Sequence, residues 1–555
     1  MTAAPEISAN IVDVVRGEIR PGTVRVAHGR IAEIVYADSP RDTYLIPGFV
    51  DAHVHIESSM LVPTEFARLA TPHGTVATVS DPHEIANVLG GAGVWYMVDN
   101  AAQTPLKVNF GAPSCVPATP FDKAGGAIDA EGVAALLDDP RIKYLSEMMN
   151  FPGVLMGDEQ VHAKIAAAHQ RKKPVDGHAP GVRGADLNKY LSAGISTDHE
   201  SRAYDEGLEK LQKGMKLIIR EGSAAKDFQA LHLLLRQFPD ACMFCSDDKH
   251  PHDLVEGHIN QLVVRAVAAG IDPMIVLRAA CVTPVRHYKL DVGLLHLGDR
   301  ADFVEVRDLT NFEVLRTWIN GELVAEHGGT LLPRVEPVMA NNFQCAPVSP
   351  DLFKLPTPTG WTDGVHAAQR VRVIEALDGQ LVTNALSAAA NAQNGEILAD
   401  QQRDLLKMVL VDRYTGGPPA VCLVKNFGLA RGAIASSVSH DSHNLIAVGA
   451  SDAEISLALN ALVHARGGIS LAAGDTVDVV PLPIAGLMSG DSGERIAADY
   501  SRLDAAAKSL GSPLFAPYMT LSFMALTVIP ALKLGPAGLF DVHKFGYVGL
   551  VEEGK

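Results

Sequence analysis

Eight short apolar segments, each followed by a stretch with helical spacing, occupy residues 48–285 and limit the possible fold more than any other feature. The predicted strands end near His55, Asp81, Gly111, Glu147, His178, His199, Arg220 and Asp247. Strands that alternate with helices form parallel sheets, and eight such units in about 240 residues match the length of one closed barrel. We therefore predict an α/β fold with a (β/α)8 barrel over residues 48–285.

The pattern changes to β-strand on both sides of the predicted barrel. Residues 9–47 contain β-branched runs separated by glycine turns, and similar runs return after Pro284. Asn320-Gly321 between two such runs is a strong hairpin signal. We predict that residues 1–47 and 286–335 form one small β-sandwich domain interrupted by the barrel. Residues 336–555 are predicted to form an additional C-terminal α+β domain.

Composition excludes several functional classes. The chain has 47 Lys and Arg residues against 64 Asp and Glu, a net charge of −17. Nucleic acids and anionic membranes both require a basic face, so we expect neither as a partner. The most apolar segment, residues 514–534, contains Pro517 and Pro530 and is predicted to be a buried core segment. Six scattered cysteines and an N-terminus without a leader pattern favour the cytoplasm.

Candidate metal ligands cluster at the ends of the predicted strands. His53 and His55 are two residues apart on the first strand, so both imidazoles face one side. Four later strands end on residues that could join them, namely Glu147, His178, His199 and Asp247. Imidazole and carboxylate together suit Zn, Mn or Fe(II). Active sites of barrels lie at this end, so we predict a metal site there.

Each of these residues alone has an ordinary structural explanation. A single histidine such as His178 or His199 is often a hydrogen-bonded residue at a barrel end, and Glu147 alone could be a salt-bridged carboxylate. Asp247 and Asp248 could cap the next helix. A chance match at five strand ends is much less probable than at one, so the set favours a metal site. Cys242 and Cys245 form a CxxC, but residues three apart on a strand face opposite sides and cannot share a ligand.

Longer motifs carry a family resemblance. The segment PGFVDAHVHIESSM, the later histidines and aspartate, and the segment GDRADFVEV resemble the amidohydrolase superfamily. The segments HIESSM, VSDPHEIANV, SEMMNFPGV, DGHAPG, FCSDDKHP and SVSHDSHN are similar to those of bacterial adenine deaminases. The resemblance extends from about residue 9 to the end of the chain.

The resemblance implies two divalent metal ions, with Mn favoured and Fe(II) or Zn as alternatives. One ion would be held by His53, His55 and Asp247, and the other by His178 and His199, with Glu147 bridging the two. A metal lowers the pKa of bound water toward about 7, which supplies hydroxide at neutral pH. Asp247 would accept the hydroxide proton and pass it to the departing ammonia.

A second group of residues is expected to complete the pocket. We expect Glu84 to donate a proton to the purine ring, with Asp81 and His83 as alternatives, although Asp81-Pro82 could simply form a turn before a helix. The remaining candidates for substrate contact, ligand orientation or a lid are Glu57, Asp248, Ser439, His440, Asp441 and His443. The last four lie in a predicted loop between strands, which could close over the barrel, contact the purine edge or hold a further metal ion.

The expected reaction is hydrolysis of adenine to hypoxanthine and ammonia, with free adenine as the small-molecule partner and a homodimer as the expected assembly. One alternative is a cyclic-amide hydrolase of the same superfamily that acts on hydantoins or dihydropyrimidines. Another is a non-catalytic scaffold, although such a protein would be expected to lose metal ligands. A nucleic-acid deaminase is disfavoured, because its HxE and PCxxC motifs are absent.

Overall fold

The computed structural model describes residues 6–552 and contains the predicted barrel. The ends of the predicted outer domains, residues 1–5 and 553–555, lie outside the described residues. Eight parallel strands form the barrel wall in chain order: Phe49–Val54, Thr75–Ser80, Lys107–Ala112, Ile142–Met148, Val175–Gly177, Thr197–Asp198, Lys216–Arg220 and Cys242–Cys245. The prediction of a (β/α)8 barrel is confirmed.

Backbone hydrogen bonds close the barrel at two junctions. The first five strands form one parallel sheet and the last three form another. The amide of Ser196 donates to the carbonyl of Val175 at 3.0 Å and joins the fifth strand to the sixth. The amide of Asp247 donates to the carbonyl of His53 at 2.9 Å and joins the eighth strand to the first. The carboxyl ends of all eight strands therefore surround one mouth.

Helices surround the barrel strands. Their bounds are Pro63–Ala70, His83–Leu89, Gly91–Ala101, Ala130–Asp138, Phe151–Met156, Glu159–Gln170, Gly184–Ser192, Tyr204–Gln212, Phe228–Leu231, Pro251–Glu256, Ile259–Ala268, Pro273–Leu277 and Thr283–Tyr288. The helical spacing over residues 84–100 predicts one helix, but the structure has two that meet at Gly90, where φ is 62°. The backbone of Gly126 lies directly against Gly90, so the break makes room for a neighbouring loop.

A single eight-stranded sheet unites the two chain segments that flank the barrel. Its strands are Glu6–Asp13, Glu18–Ala27, Arg30–Tyr36, Tyr44–Pro47, Phe303–Val306, Val314–Ile319, Glu322–Glu326 and Gly329–Thr330. Tyr44–Pro47 pairs in parallel with Glu6–Asp13 and antiparallel with Phe303–Val306. That strand is therefore the seam between the N-terminal and the returning segments.

The C-terminal region is built on a ten-stranded sheet. Its strands are Leu355–Pro356, Gly364–Ala376, Thr383–Gln393, Glu396–Leu398, Leu405–Val411, Ala420–Lys425, Ala433–Ser436, Leu445–Gly449, Gly468–Ala473 and Thr476–Pro481. A small three-stranded sheet follows, formed by Leu532–Gly535, Gly538–Asp541 and Gly546–Tyr547. The helices of this region are Asp452–Ala465, Gly493–Ser509 and Pro517–Ser522.

The apolar segment of residues 514–534 is mostly buried, as its sequence predicts, although Phe515 is exposed. Its helix, Pro517–Ser522, is short and packed into the core together with Phe523 and Leu526. Among residues 6–552, no helix combines the length and apolarity that a membrane crossing requires. Cys242 and Cys245 are both buried and unpaired, and they belong to different hydrophobic clusters. The two thiols therefore diverge, as the strand spacing predicts.

Candidate metal centre at the barrel mouth

The six predicted ligands meet at the barrel mouth because each lies at or just beyond the carboxyl end of a strand. His53 belongs to the first strand and Glu147 to the fourth. Three ligands directly follow strands, and the sixth, Asp247, comes two residues after the eighth strand. All six side chains are buried: His53, His55, Glu147, His178, His199 and Asp247.

The two carboxylate oxygens of Glu147 face different histidine pairs. Oε1 lies 3.2 Å from Nε2 of His55 and 3.8 Å from Nε2 of His53. Oε2 lies 2.7 Å from Nδ1 of His178 and 3.1 Å from Nε2 of His199. Burial alone would raise the pKa of Glu147, but the His199 and His178 imidazoles outweigh it and hold that pKa well below its usual range. Glu147 thus sits between the two predicted ligand sets as a carboxylate.

Asp247 turns one oxygen toward the histidines and the other toward a buried cation. Its Oδ1 lies 3.2 Å from Nε2 of His55, and its Oδ2 accepts a 2.8 Å hydrogen bond from Arg220. The backbone of Asp247 has a φ of 52°, an unusual conformation that the hydrogen bonds to the first strand hold in place. Burial would raise the pKa of Asp247, but Arg220 and His55 outweigh burial and keep it well below its usual range.

The donor set fits divalent metal ions. Nε2 of His53 and Nε2 of His55 face each other at 3.1 Å, and both point at the carboxylates of Glu147 and Asp247. A cation bound between them would stabilise this close approach of two imidazole nitrogens and two ionised carboxylates. The groups of ligand atoms that lie close enough to hold an ion include His53, His199 and Asp247 as well as Glu147, His178 and His199.

Arg220 was not among the predicted site residues, although it ends the seventh strand. Its guanidinium pairs with Glu200 and Asp247 and lies 3.1 Å from Asp227, and it is 1 % exposed. Breaking a buried ion pair leaves uncompensated charge and costs about 3–5 kcal/mol. The sequence signal that could have identified Arg220 is a charged residue directly after the apolar run of residues 217–219.

Arg220→Met is expected to lower the melting temperature of the metal-free protein by about 5 °C or more, because buried carboxylates lose their cation. The measurement is a thermal scan of wild type and variant in chelator. Arg202→Met is the matched control. The Arg202 side chain is one-third exposed, and its guanidinium is as far as 4.0 Å from the Glu200 carboxylate. Such an exposed pair contributes about 0–1 kcal/mol. Equal melting temperatures for Arg220→Met and wild type would contradict the structural role.

A second polar cluster joins the barrel to the C-terminal region. Glu84 lies in the first turn of helix His83–Leu89, and its carboxylate is 2.6 Å from Nδ1 of His440 and in contact with Nε2 of His443. Both histidines belong to the histidine loop, residues 437–444, which connects strands Ala433–Ser436 and Leu445–Gly449. The sequence predicts a loop here, and the structure buries it between the two regions.

The charges around Glu84 and His440 favour an ionised carboxylate beside a protonated imidazole. Burial would raise the pKa of Glu84, but His440, His83 and His443 outweigh it and lower that pKa well below its usual range. Burial would lower the pKa of His440, but Glu84 and Asp248 outweigh it and raise that pKa to about 9. Glu84, His440 and His443 also place three ligand atoms within 4.8 Å of one another, as a metal site would.

The remaining predicted residues occupy different positions around the cavity. Nδ1 of His83 lies 3.1 Å from Oδ2 of Asp81, and the backbone amide of His83 donates a 3.1 Å hydrogen bond to Oδ1 of Asp81. His83, Asp248, His440 and Asp441 line the cavity. Glu57 lies outside that lining and accepts a hydrogen bond from the amide of Ile85 in the adjacent helix. Ser439 is buried but does not line the cavity, and its backbone contacts His443.

Apolar residues of the C-terminal region cover the metal centre. Leu381, Phe523 and Leu526, which we call the apolar wall, line the same cavity as the ligands. Phe523 stacks on the His440 ring with a centroid distance of 4.3 Å. The cavity volume is only about 30 Å³, room for no more than a few water molecules. Sequence reasoning missed these three residues and Met149, because apolar side chains in apolar segments carry no local signal of a site.

Known proteins match this chain over almost its whole length. The amidohydrolase family matches residues 44–324, and the adenine deaminase C-terminal domain matches residues 380–546. Adenine deaminase from Sulfurovum sp. is 52% identical over 98% of this chain and 99% of its own length. The chain belongs to the adenine deaminase family. The adenine deaminases of Salinibacter ruber and Methanosarcina acetivorans are 52% and 49% identical, over 99% and 98% of this chain and 99% of each relative.

Membership of the adenine deaminase family confirms the resemblance drawn from the motifs. The match includes the barrel, where the predicted ligands lie, and the domain that supplies the histidine loop and the apolar wall. It favours adenine deaminases over the cyclic-amide hydrolases and over a non-catalytic scaffold. In this family member, residues from both matched regions meet around one cavity.

Proposed function

We propose that the chain catalyses the hydrolytic deamination of adenine to hypoxanthine and ammonia. The observation that carries the proposal is the single cavity in which the barrel ligands, the histidine loop and the apolar wall meet. Relatives of about half-identical sequence, matched over nearly their whole length, are named adenine deaminases. The same relatives support a free purine base as the substrate.

The metal assignment follows the geometry of the ligands. His53, His55 and Asp247 would hold one ion and His178 and His199 the other, with Glu147 between them. Mn is the favoured ion, with Fe(II) and Zn as alternatives. When bound, two such ions supply hydroxide at neutral pH, because a metal lowers the pKa of its water toward about 7.

Asp247 is assigned to move the proton of the attacking oxygen. Its Oδ1 faces the histidine cluster, while Arg220 holds Oδ2 and stabilises the ionised form. An ionised carboxylate in this position accepts the proton as the oxygen attacks the ring carbon that bears the amino group. The same carboxyl then hands the proton to the departing ammonia as the carbon–nitrogen bond breaks.

Glu84 is assigned to protonate the ring nitrogen next to the attacked carbon. The Glu84 carboxylate holds the proton on His440, and both side chains line the cavity. We therefore treat Glu84 and His440 as one proton-donating pair. His83 lies 3.4 Å from Glu84 and 3.1 Å from Asp81, so His83 and Asp81 remain the alternative donors.

The substrate assignment predicts selective turnover. Protein reloaded with Mn(II) is expected to convert adenine, with an ultraviolet shift to hypoxanthine and release of an equal amount of ammonia. Adenosine and dihydrouracil, tested in parallel, are expected to react at least about a hundredfold more slowly, because a shaped polar pocket discriminates by that much or more. Bound metal without turnover of adenine would contradict the assignment, and turnover of dihydrouracil would favour a cyclic-amide hydrolase.

A further inference from the structure

The cavity at the metal centre must widen if it is to accept a substrate, and the apolar wall forms one side of it. Leu381, Phe523 and Leu526 are all at most 6 % exposed and belong to one hydrophobic cluster with Ala224 of the barrel. The cavity behind them has room for no more than a few water molecules. A purine base therefore reaches the ligands only after part of this lining moves.

Lys533 connects two segments of the apolar wall. It lies on strand Leu532–Gly535, and its side chain is 0 % exposed. Its ammonium donates hydrogen bonds to the carbonyl of Leu381 at 2.7 Å and to the carbonyl of Phe523 at 2.9 Å. These two carbonyls belong to segments more than a hundred residues apart in sequence, so one side chain links the two segments directly, in addition to the hydrogen bonds of Thr383 and Met524 with residues 530–534.

The environment of Lys533 differs from that of two other buried lysines, Lys210 and Lys407. Lys210 pairs with Asp198 and Glu206, and Lys407 pairs with Glu396 and Asp452. Lys533 forms no ion pair with any residue in the range 6–552. Burial, followed by the charge of Arg202, lowers the pKa of Lys533 to about 7. A lysine buried without a carboxylate is costly, and a hydrophobic residue would fill the same space more cheaply.

A larger cavity lies on the other side of Leu381. Its volume is about 420 Å³, within the range of small-molecule sites, and its lining includes Arg202, Lys226 and Asp378. Leu381 lines both this cavity and the metal centre. The turn before Leu381 contains Gly379, which has a φ of 69° and no atom within 4 Å of its missing side-chain position. That turn therefore has space to move.

We propose that Lys533 is a positioning residue that latches the apolar wall over the active site, and that the wall opens at Leu381 toward the larger cavity to admit the purine base. The identity of the base rests on the proposed function. The latch consists of the two hydrogen bonds from Lys533 to the carbonyls of Leu381 and Phe523. Releasing them loosens both segments at once, because they share one donor, while the hydrogen bonds of Thr383 and Met524 with residues 530–534 remain.

Hydrogen exchange of the substrate-free protein tests the latch without reference to turnover. In Lys533→Met, the amides of residues 377–383 and 519–527 are expected to exchange at least about tenfold faster than in wild type, because charge-assisted hydrogen bonds are lost. Lys407→Met is the matched control, since Lys407 is a buried lysine of the same region and lies away from the wall. Unchanged exchange in the two segments, or equal acceleration in both variants, would overturn the proposal.

Two further measurements separate positioning from general stability. Lys533→Met should keep its metal content, raise KM for adenine by about tenfold and change kcat less, because closure precedes the chemical step. Lys533→Arg, which keeps the charge and the donors, should recover part of the loss. If Lys533→Met does not fold, the test uses hydrogen exchange of the wild-type protein instead. Amides of the apolar wall that exchange as slowly as those of strand Leu405–Val411 would overturn the proposal that the wall opens. Failure of adenine turnover in wild type would leave the exchange result intact.

Discussion

Glu147→Gln is expected to reduce bound metal from about two ions per chain to fewer than one and to lower adenine turnover by at least about a thousandfold. Glu147 presents one ionised oxygen to His53 and His55 and the other to His178 and His199. A glutamine offers one neutral oxygen and one amide nitrogen, and that nitrogen is a donor that cannot bind a cation. The measurement is elemental analysis after gel filtration in weak chelator, followed by the adenine assay.

Glu200→Gln is the matched control for metal retention. Glu200 lines the same cavity and is equally buried, but it is bound to Arg220 rather than placed between the histidine pairs. We expect this variant to keep both ions. Full metal content and wild-type activity in Glu147→Gln would remove Glu147 from the metal centre.

Glu84→Gln is expected to keep both ions and to lower kcat by about 10²–10⁴-fold, the usual contribution of a general acid. The Glu84 carboxylate stabilises the protonated form of His440, whose pKa is raised to about 9. A neutral amide removes that stabilisation, so His440 loses its proton more readily at neutral pH. The measurement is kcat for adenine in preparations whose metal content matches that of wild type.

A double variant tests whether Glu84 and His440 act as one unit. Glu84→Gln combined with His440→Ala should be no slower than the slower single variant, because removal of either partner already disables the pair. Losses that multiply in the double variant would show two independent roles. A wild-type rate in Glu84→Gln would assign the ring-nitrogen proton to another group, with His83 and Asp81 as the first residues to test.

The barrel and its ligands were predictable because both follow from short-range patterns. Alternation along a strand places His53 and His55 on one side, and parallel strands bring their carboxyl ends to one mouth. These rules require no knowledge of contacts between distant segments. They therefore identify residues such as Glu147 and Asp247 from the strands alone.

The features that could not be predicted depend on contacts between distant segments. Glu84 is about 360 residues from His440 in the chain, so the sequence carries no signal that the Glu84 carboxylate contacts that imidazole. Leu381 and Phe523 resemble ordinary core residues, and only the folded chain places them over the site. The break of the predicted 84–100 helix at Gly90 likewise arises from a loop that approaches from elsewhere.

The seam strand Tyr44–Pro47 has a consequence for synthesis on the ribosome. One edge pairs with Glu6–Asp13 as soon as the N-terminal segment emerges, but the other waits for Phe303–Val306. That partner emerges about 250 residues later, a delay on the order of 10–50 s at ordinary translation rates. An open strand edge invites pairing with other chains. Nascent chains that stall within the barrel are therefore the species most exposed to aggregation and most dependent on chaperones.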